Sequence, residues 1–261
     1  MARIKLIISY DGTDYCGWQK QKDHKFASEL PSIQETLEKA LEKIFRHPIG
    51  LSASGRTDAG VHAVAQVTHF DTERRLPQDL CWALRSILPP SIVAKKAFTA
   101  PDEFHSTTSA TKKTYRYWVW NHPRATALLG RYSWWIRQEL DLAHLNASAK
   151  YLIGEQDFES FRSMGTPVKT TIRELFSAQW TRHQSGIVQF EVTGTGFMKQ
   201  MVRNLVGTQV NLAVKELDSS QMLTILQAKD RRAAGTTAPS QGLFLKKVYY
   251  PKNLDIKCRQ I

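Results

Sequence analysis

Arg3-Ile4-Lys5-Leu6-Ile7-Ile8-Ser9-Tyr10 and, after a loop, Ser32-Ile33-Gln34-Glu35-Thr36-Leu37-Glu38-Lys39-Ala40-Leu41-Glu42-Lys43-Ile44-Phe45 begin the chain with a strand and then a helix. In the first stretch Ile4, Leu6, Ile8 and Tyr10 fall at every second position and share one face of a strand. In the second, Ser32 with Glu35 three residues on reads as a capping box, and Ile33, Leu37, Ala40, Leu41 and Ile44 recur at helical spacing. His47-Pro48 ends the helix, because proline disfavours helical backbone in the residue before it. A short strand near 49–53, a glycine-bounded polar loop and a strand near 64–70 follow. A helix from about Gln78, with Leu80, Leu84 and Ile87 inward, is stopped by Pro89-Pro90, and Ile92 to Phe98 is a closing strand. The order is β-α-β-β-α-β, the split βαβ unit.

The remainder repeats that order. Thr114 to Asn121 reads as a strand with Tyr115, Tyr117 and Val119 on one face and Arg116, Trp118 and Trp120 on the other. Asp141 to Leu152 is helical and ends at Gly154; Leu175 to Trp180 and Ile187 to Thr193 flank Gly186 as a hairpin. Met198 to Val214 and Asp218 to Ala228 are helical, and Leu243 to Tyr249 is the last strand. The expected class is therefore α+β, two ferredoxin-like halves with mainly antiparallel sheets, divided as residues 1–105 and 106–261.

The 261 residues are 42% hydrophobic and 23% charged, the balance of a globular chain, and 36 Lys and Arg against 24 Asp and Glu leave a net charge of +12. That excess implies a polyanionic partner, and antiparallel sheets carrying aromatic residues point to RNA, whose unpaired bases stack on such rings. Cys16, Cys81 and Cys258 are far apart, in no spacing that forms a disulfide framework or a zinc cluster. Only three apolar residues run together before Ser9, and no run is long enough to span a bilayer, so neither a signal nor a membrane segment is expected and a cytoplasmic location is.

Several sites are excluded by pattern. There is no G-x-x-x-x-G-K-[ST] loop, and none of the eight His falls in an H-E-x-x-H or comparable ligand pattern. Gly194-Thr195-Gly196 lies between strand and helix as a dinucleotide turn does, but Lys199 stands where its third glycine belongs. What remains is Ser54-Gly55-Arg56-Thr57-Asp58-Ala59-Gly60-Val61-His62-Ala63, a glycine-bounded loop around one arginine and one carboxylate. By composition alone the favoured reading is a solvated turn, because Asp and Gly favour turns for local reasons.

Gly55-Arg56-Thr57-Asp58-Ala59-Gly60-Val61-His62 resembles the signature of the tRNA pseudouridine synthase A family. Tyr10-Asp11-Gly12 with Gly17-Trp18-Gln19 resembles the family's N-terminal strand and loop; Ser109-Ala110-Thr111 leading to Tyr115-Arg116-Tyr117 is similar to its central strand. Met201 to Gly207 is similar to its C-terminal helix, and Thr237-Ala238-Pro239 with Gly242-Leu243 to its final loop and strand.

The resemblance implies a pseudouridine synthase fold with a central active-site cleft. It also implies isomerisation of uridine to pseudouridine at positions 38, 39 and 40 of the tRNA anticodon stem-loop, with no cofactor and no metal. By position, Asp58 is the catalytic carboxylate, attacking ribose C1′ or uracil C6, and Arg203 is its arginine partner. Tyr115 stacks on the target base and is a candidate for moving the C5 proton; Arg56 helps displace the target nucleotide or holds its phosphate. Arg116 is expected to bind substrate beside them, while Arg74, Arg75, Lys112, Lys113 and Lys169 are candidates for backbone contacts. Tyr115 and Arg203 have other readings, a core tyrosine and a surface charge beside Lys199. Met164-Gly165-Thr166-Pro167 departs from the family, which bears on tRNA preference. The expected partners are tRNA and a second copy in a homodimer. The rivals are a non-catalytic RNA-binding protein or chaperone, and an RNA-modifying enzyme with a nucleotide cofactor such as a methyltransferase.

Overall fold

The computed structural model describes residues 1–20, 29–163, 165 and 168–261; Met164, Thr166 and Pro167 of the divergent loop lie outside the described residues. The chain forms two compact units, Met1–Thr111 with Leu245–Ile261, and Lys112–Phe244.

In the first unit β1 (Ala2–Tyr10), α1 (Ile33–Phe45), β2 (Ser52–Ala53), β3 (His62–Thr72), α2 (Leu80–Arg85) and β4 (Ile92–Ala100) follow the split βαβ order. β1 lies between β3 and β4, antiparallel to both, and β2 adds to β3. Ile4, Leu6 and Ile8 are fully buried, as the alternation requires, and so are Ile33, Leu37 and Leu41 of the apolar stripe on α1. Each such burial is worth roughly 1.5–3 kcal/mol. Ser32 caps α1 by accepting from Glu35 N–H at 3.1 Å, while the Glu35 carboxylate pairs with Lys39 at 2.7 Å. Asp79, not Gln78, caps α2, and Leu88 takes the inward place expected of Ile87, which is half-exposed.

The C-terminal segment belongs to this unit, which a linear division at residue 105 misses. β10 (Leu243–Tyr249) lies beside β3, and β11 (Arg259–Gln260) pairs with β4. The Tyr250 hydroxyl donates to Ser106 O at 2.6 Å, and Lys5, buried against Phe104 and Tyr250, pairs with Asp255 at 2.7 Å. Asp255 sits on the short helix α6 (Lys252–Asp255). The Tyr250 and Asp255 bonds link residues 144 and 250 positions apart, beyond any local pattern.

The second unit contains β5 (Lys112–Asn121), β6 (Trp134–Ile136), α3 (Leu142–Lys150), β7 (Gly154–Asp157), β8 (Ile172–Arg182), β9 (Ile187–Gly194), α4 (Met201–Val214) and α5 (Gln221–Ala228). The strand order is β5-β9-β8-β7, antiparallel throughout, with β6 parallel to β5. Tyr115, Tyr117 and Val119 are buried, whereas Arg116, Trp118 and Trp120 on the other face are half-exposed. The largely buried α4 is tied to β8 by the Trp180 indole, which donates to Gln209 Oε1 at 2.9 Å. β6 and β7 are too short to give a periodic signal.

Candidate active site

The loop joining β2 to β3 carries Arg56 and Asp58, and hydrogen bonds from distant residues hold it along its length. Ser54 N–H donates to Val67 O at 2.8 Å and its hydroxyl to Gln66 Oε1 at 2.6 Å; Gln66 Nε2 donates to Gly55 O at 2.7 Å. The Tyr10 and Thr57 hydroxyls are bonded at 2.8 Å, and Trp18 N–H donates to Thr57 O at 3.0 Å. Burial pushes the Tyr10 phenol up to about 12, because a phenolate is poorly solvated there, so it stays a neutral hydrogen-bonding group. Val61 N–H donates to Asp58 O at 3.2 Å, closing a turn whose third position, Gly60, has φ 74. Beyond the turn, Gly12 N–H donates to His62 Nδ1 at 3.1 Å.

Gly17 explains why the first loop must lie so close. Its φ is +107, and a Cβ there would stand 2.8 Å from Thr57 O and 3.1 Å from the Asp58 carbonyl carbon. Only glycine allows both the conformation and the approach. Tyr10-Asp11-Gly12 and Gly17-Trp18 thus converge on residues 54–62. Thr57 is anchored inward, while Asp58 is half-exposed and Arg56 exposed.

In the second unit, Arg203 on α4 is locked to the loop before β10. Its Nε donates to Ala238 O at 2.7 Å and its backbone carbonyl accepts from Ala238 N–H at 3.1 Å, which fixes the direction of the guanidinium. The same loop is held by the Tyr117 hydroxyl, donating to Pro239 O at 2.7 Å, and by Thr237, donating to Asn204 Oδ1 at 2.7 Å. Arg231 Nη2 donates to Asn204 Oδ1 at 3.2 Å and to Thr237 Oγ1 at 3.1 Å. Burial raises the Tyr117 phenol far above its usual range, against a smaller opposing effect of the Arg203 charge. Tyr115 is buried on β5 with its ring edge-to-face against half-exposed Phe197, centroids 5.1 Å apart. Arg116 is half-exposed, its guanidinium 5.6 Å from the Trp118 ring.

Among the other basic residues Arg74, Arg75 and Lys169 are exposed, while Lys112 and Lys113 are half-buried, burial lowering the Lys113 ammonium. Thr195 of the glycine turn donates its N–H to Glu174 O at 3.0 Å, so that turn continues the pairing of β9 with β8. Gln66, Asn204 and Phe197 were not foreseen. An amide flanked by apolar residues, as in Val64-Ala65-Gln66-Val67, was the available signal for Gln66, and both Gln66 and Asn204 prove fully buried.

The pattern describing the family "tRNA pseudouridine synthase" matches residues 6–107 and 148–251. The chain belongs to the tRNA pseudouridine synthase family. A relative named tRNA pseudouridine synthase A from Bdellovibrio bacteriovorus is 54% identical over 99% of both chains. Relatives of the same name from Ruminiclostridium cellulolyticum and Vibrio vulnificus are 39% and 40% identical, over 96% and 97% of this chain and 100% and 94% of theirs. As a member of that family the protein is an isomerase, and the motifs that carry the resemblance include the segments that the hydrogen bonds above draw together. Among the described residues no cluster of three or more His, Cys, Asp and Glu could hold a metal ion, and no helix is long and apolar enough to cross a membrane.

Proposed function

We propose that this enzyme isomerises uridines 38, 39 and 40 in the anticodon stem-loop of tRNA, with the Asp58 carboxylate as nucleophile. The carrying observation is the braced loop, in which Tyr10, Gly12, Gly17 and Trp18 surround the backbone of residues 57–62 and leave Asp58 half-exposed. Identity of 54% over 99% of the chain to a relative named tRNA pseudouridine synthase A supports tRNA as the substrate.

The reaction breaks the bond between uracil N1 and ribose C1′, forms one between C5 and C1′, loses the C5 proton to solvent and takes one up at N1, so the product is an isomer of the substrate. Nothing is oxidised, so neither redox cofactor nor group donor is required. A carboxylate can attack C1′ or C6 without a separate base. Arg203 serves as its partner, its guanidinium directed by the bond to Ala238, because a bidentate arginine keeps a carboxylate ionised as water leaves. Tyr115, its ring edge-to-face against Phe197, stacks on the uracil and moves the C5 proton. Arg56 and Arg116 bind the displaced nucleotide and its phosphates. The net charge of +12 holds folded tRNA, a homodimer lets a second copy reach its remainder, and the reaction belongs to the cytoplasm.

The test is tritium release from tRNA carrying 5-tritiated uridine, without added cofactor or metal. Release by the wild-type protein and none by Asp58→Ala, which still binds tRNA, is expected. Equal release by both removes Asp58 from the mechanism, and none by either leaves an RNA-binding protein.

A further inference from the structure

Residues 122–137, from the end of β5 to the residue just after β6, lie outside the segments matched by the family pattern. They contain Arg124, Arg131 and Arg137 and no Asp or Glu. All three arginines are exposed, and neither Arg124 nor Arg137 forms an ion pair among the described residues.

This segment is a fixed frame. The Trp120 indole donates to Arg124 O at 2.8 Å, and Arg124 N–H donates to His122 Nδ1 at 3.0 Å. Trp120 and His122 stack with centroids 5.2 Å apart. At the other end the Trp135 indole donates to His122 O at 2.9 Å, and Asn121 Nδ2 donates to Ile136 O at 3.1 Å and to Gln138 O at 2.6 Å. The frame closes where β6 pairs in parallel with β5. Arginines on an ordered backbone lose less freedom on binding than those on a floppy tail.

We propose that residues 122–137 form a phosphate-binding arm for tRNA, distinct from the residues assigned to catalysis. This rests on the tRNA reading above. The segment's single sign of charge favours a polyanion over a second copy of the chain, because a two-fold contact would set arginine against arginine. Nucleic acid is bound chiefly through phosphates, and each contact adds to the salt dependence of affinity.

The experiment compares wild type with Arg124→Ala/Arg131→Ala/Arg137→Ala for binding of unmodified tRNA at 50 and 200 mM salt, and for tritium release at saturating tRNA. Loss of two or three contacts should shrink the affinity change between those salts by about 10- to 40-fold. Affinity at low salt falls, kcat is unchanged, and the triple Arg→Lys variant restores binding. An unchanged salt slope in an active enzyme overturns the arm, as does a shift in sedimentation with tRNA affinity intact, which makes the segment a subunit contact. Absence of tritium release in wild type refutes the enzymatic reading and leaves the binding comparison valid.

Discussion

Replacing Tyr10 by phenylalanine removes one oxygen from beneath the Asp58 loop and preserves the ring that packs against Trp18. The hydroxyl is bonded to Thr57 at 2.8 Å, and both residues are nearly inaccessible, at 3% and 7%, so water cannot readily replace it. The cost lies between that of a neutral hydrogen bond and that of a stranded buried hydroxyl, about 1–3 kcal/mol. A chain of this size loses roughly 2–4 °C in Tm per kcal/mol. Thr57 O remains tethered to Trp18 N–H, so the loop should shift and not unravel. If the lost energy falls wholly on Asp58 placement, 1.4 kcal/mol per decade converts it to about a 5- to 150-fold fall in kcat. KM for tRNA should not change, since buried Tyr10 touches no solvent-facing ligand. Steady-state tritium release on protein checked by circular dichroism separates these quantities. A lower Tm with kcat intact, or a change confined to KM, refutes the idea that Tyr10 positions the carboxylate.

Gly17→Ala should cost roughly 1–3 kcal/mol, from its φ of +107 and the approach to Thr57 O, and should lower kcat as well as the urea midpoint. Tyr117→Phe strands the Pro239 carbonyl and should destabilise by about 1–3 kcal/mol in denaturant titration; unchanged kcat would separate the 237–239 loop from Arg203 placement. Burial, then the neighbouring His105 and Arg3 charges, lowers His69 to about 4, with Asp71 opposing. Because the folded state disfavours charged His69, its stabilising contribution is complete above its ordinary value near 6.5 and is lost as pH falls from there towards 4. Thermal melts of wild type should therefore fall across that window more steeply than those of His69→Gln.

Much of the candidate site was legible because its residues are clustered in sequence. Residues 54–63 contain the arginine, the carboxylate and both flanking glycines, and the resemblance singled out Arg203 and Tyr115 from short motifs. Their supports were not legible. Gln66 serves the loop through side-chain bonds to Ser54 and Gly55, and Phe197 meets Tyr115 across a gap of many residues; neither follows a period of 2 or 3.6. The helices and long strands were readable for the opposite reason, since Ile4, Leu6 and Ile8, or Ile33, Leu37 and Leu41, repeat whenever one face is buried.

The sequence alone determined the βαββαβ order of the first unit, the Ser32 cap, the Gly186 hairpin and the charge that suits a polyanion, all consequences of local backbone preference and composition. Tertiary structure decided the rest. It returned residues 245–261 to the first unit, buried the Lys5 ammonium against Asp255 and aromatic rings, and closed Tyr10, Gly12 and Gly17 around the Asp58 loop. Those outcomes depend on desolvation and on hydrogen bonds between residues dozens to hundreds of positions apart. Such bonds exist only once the core has brought the strands together.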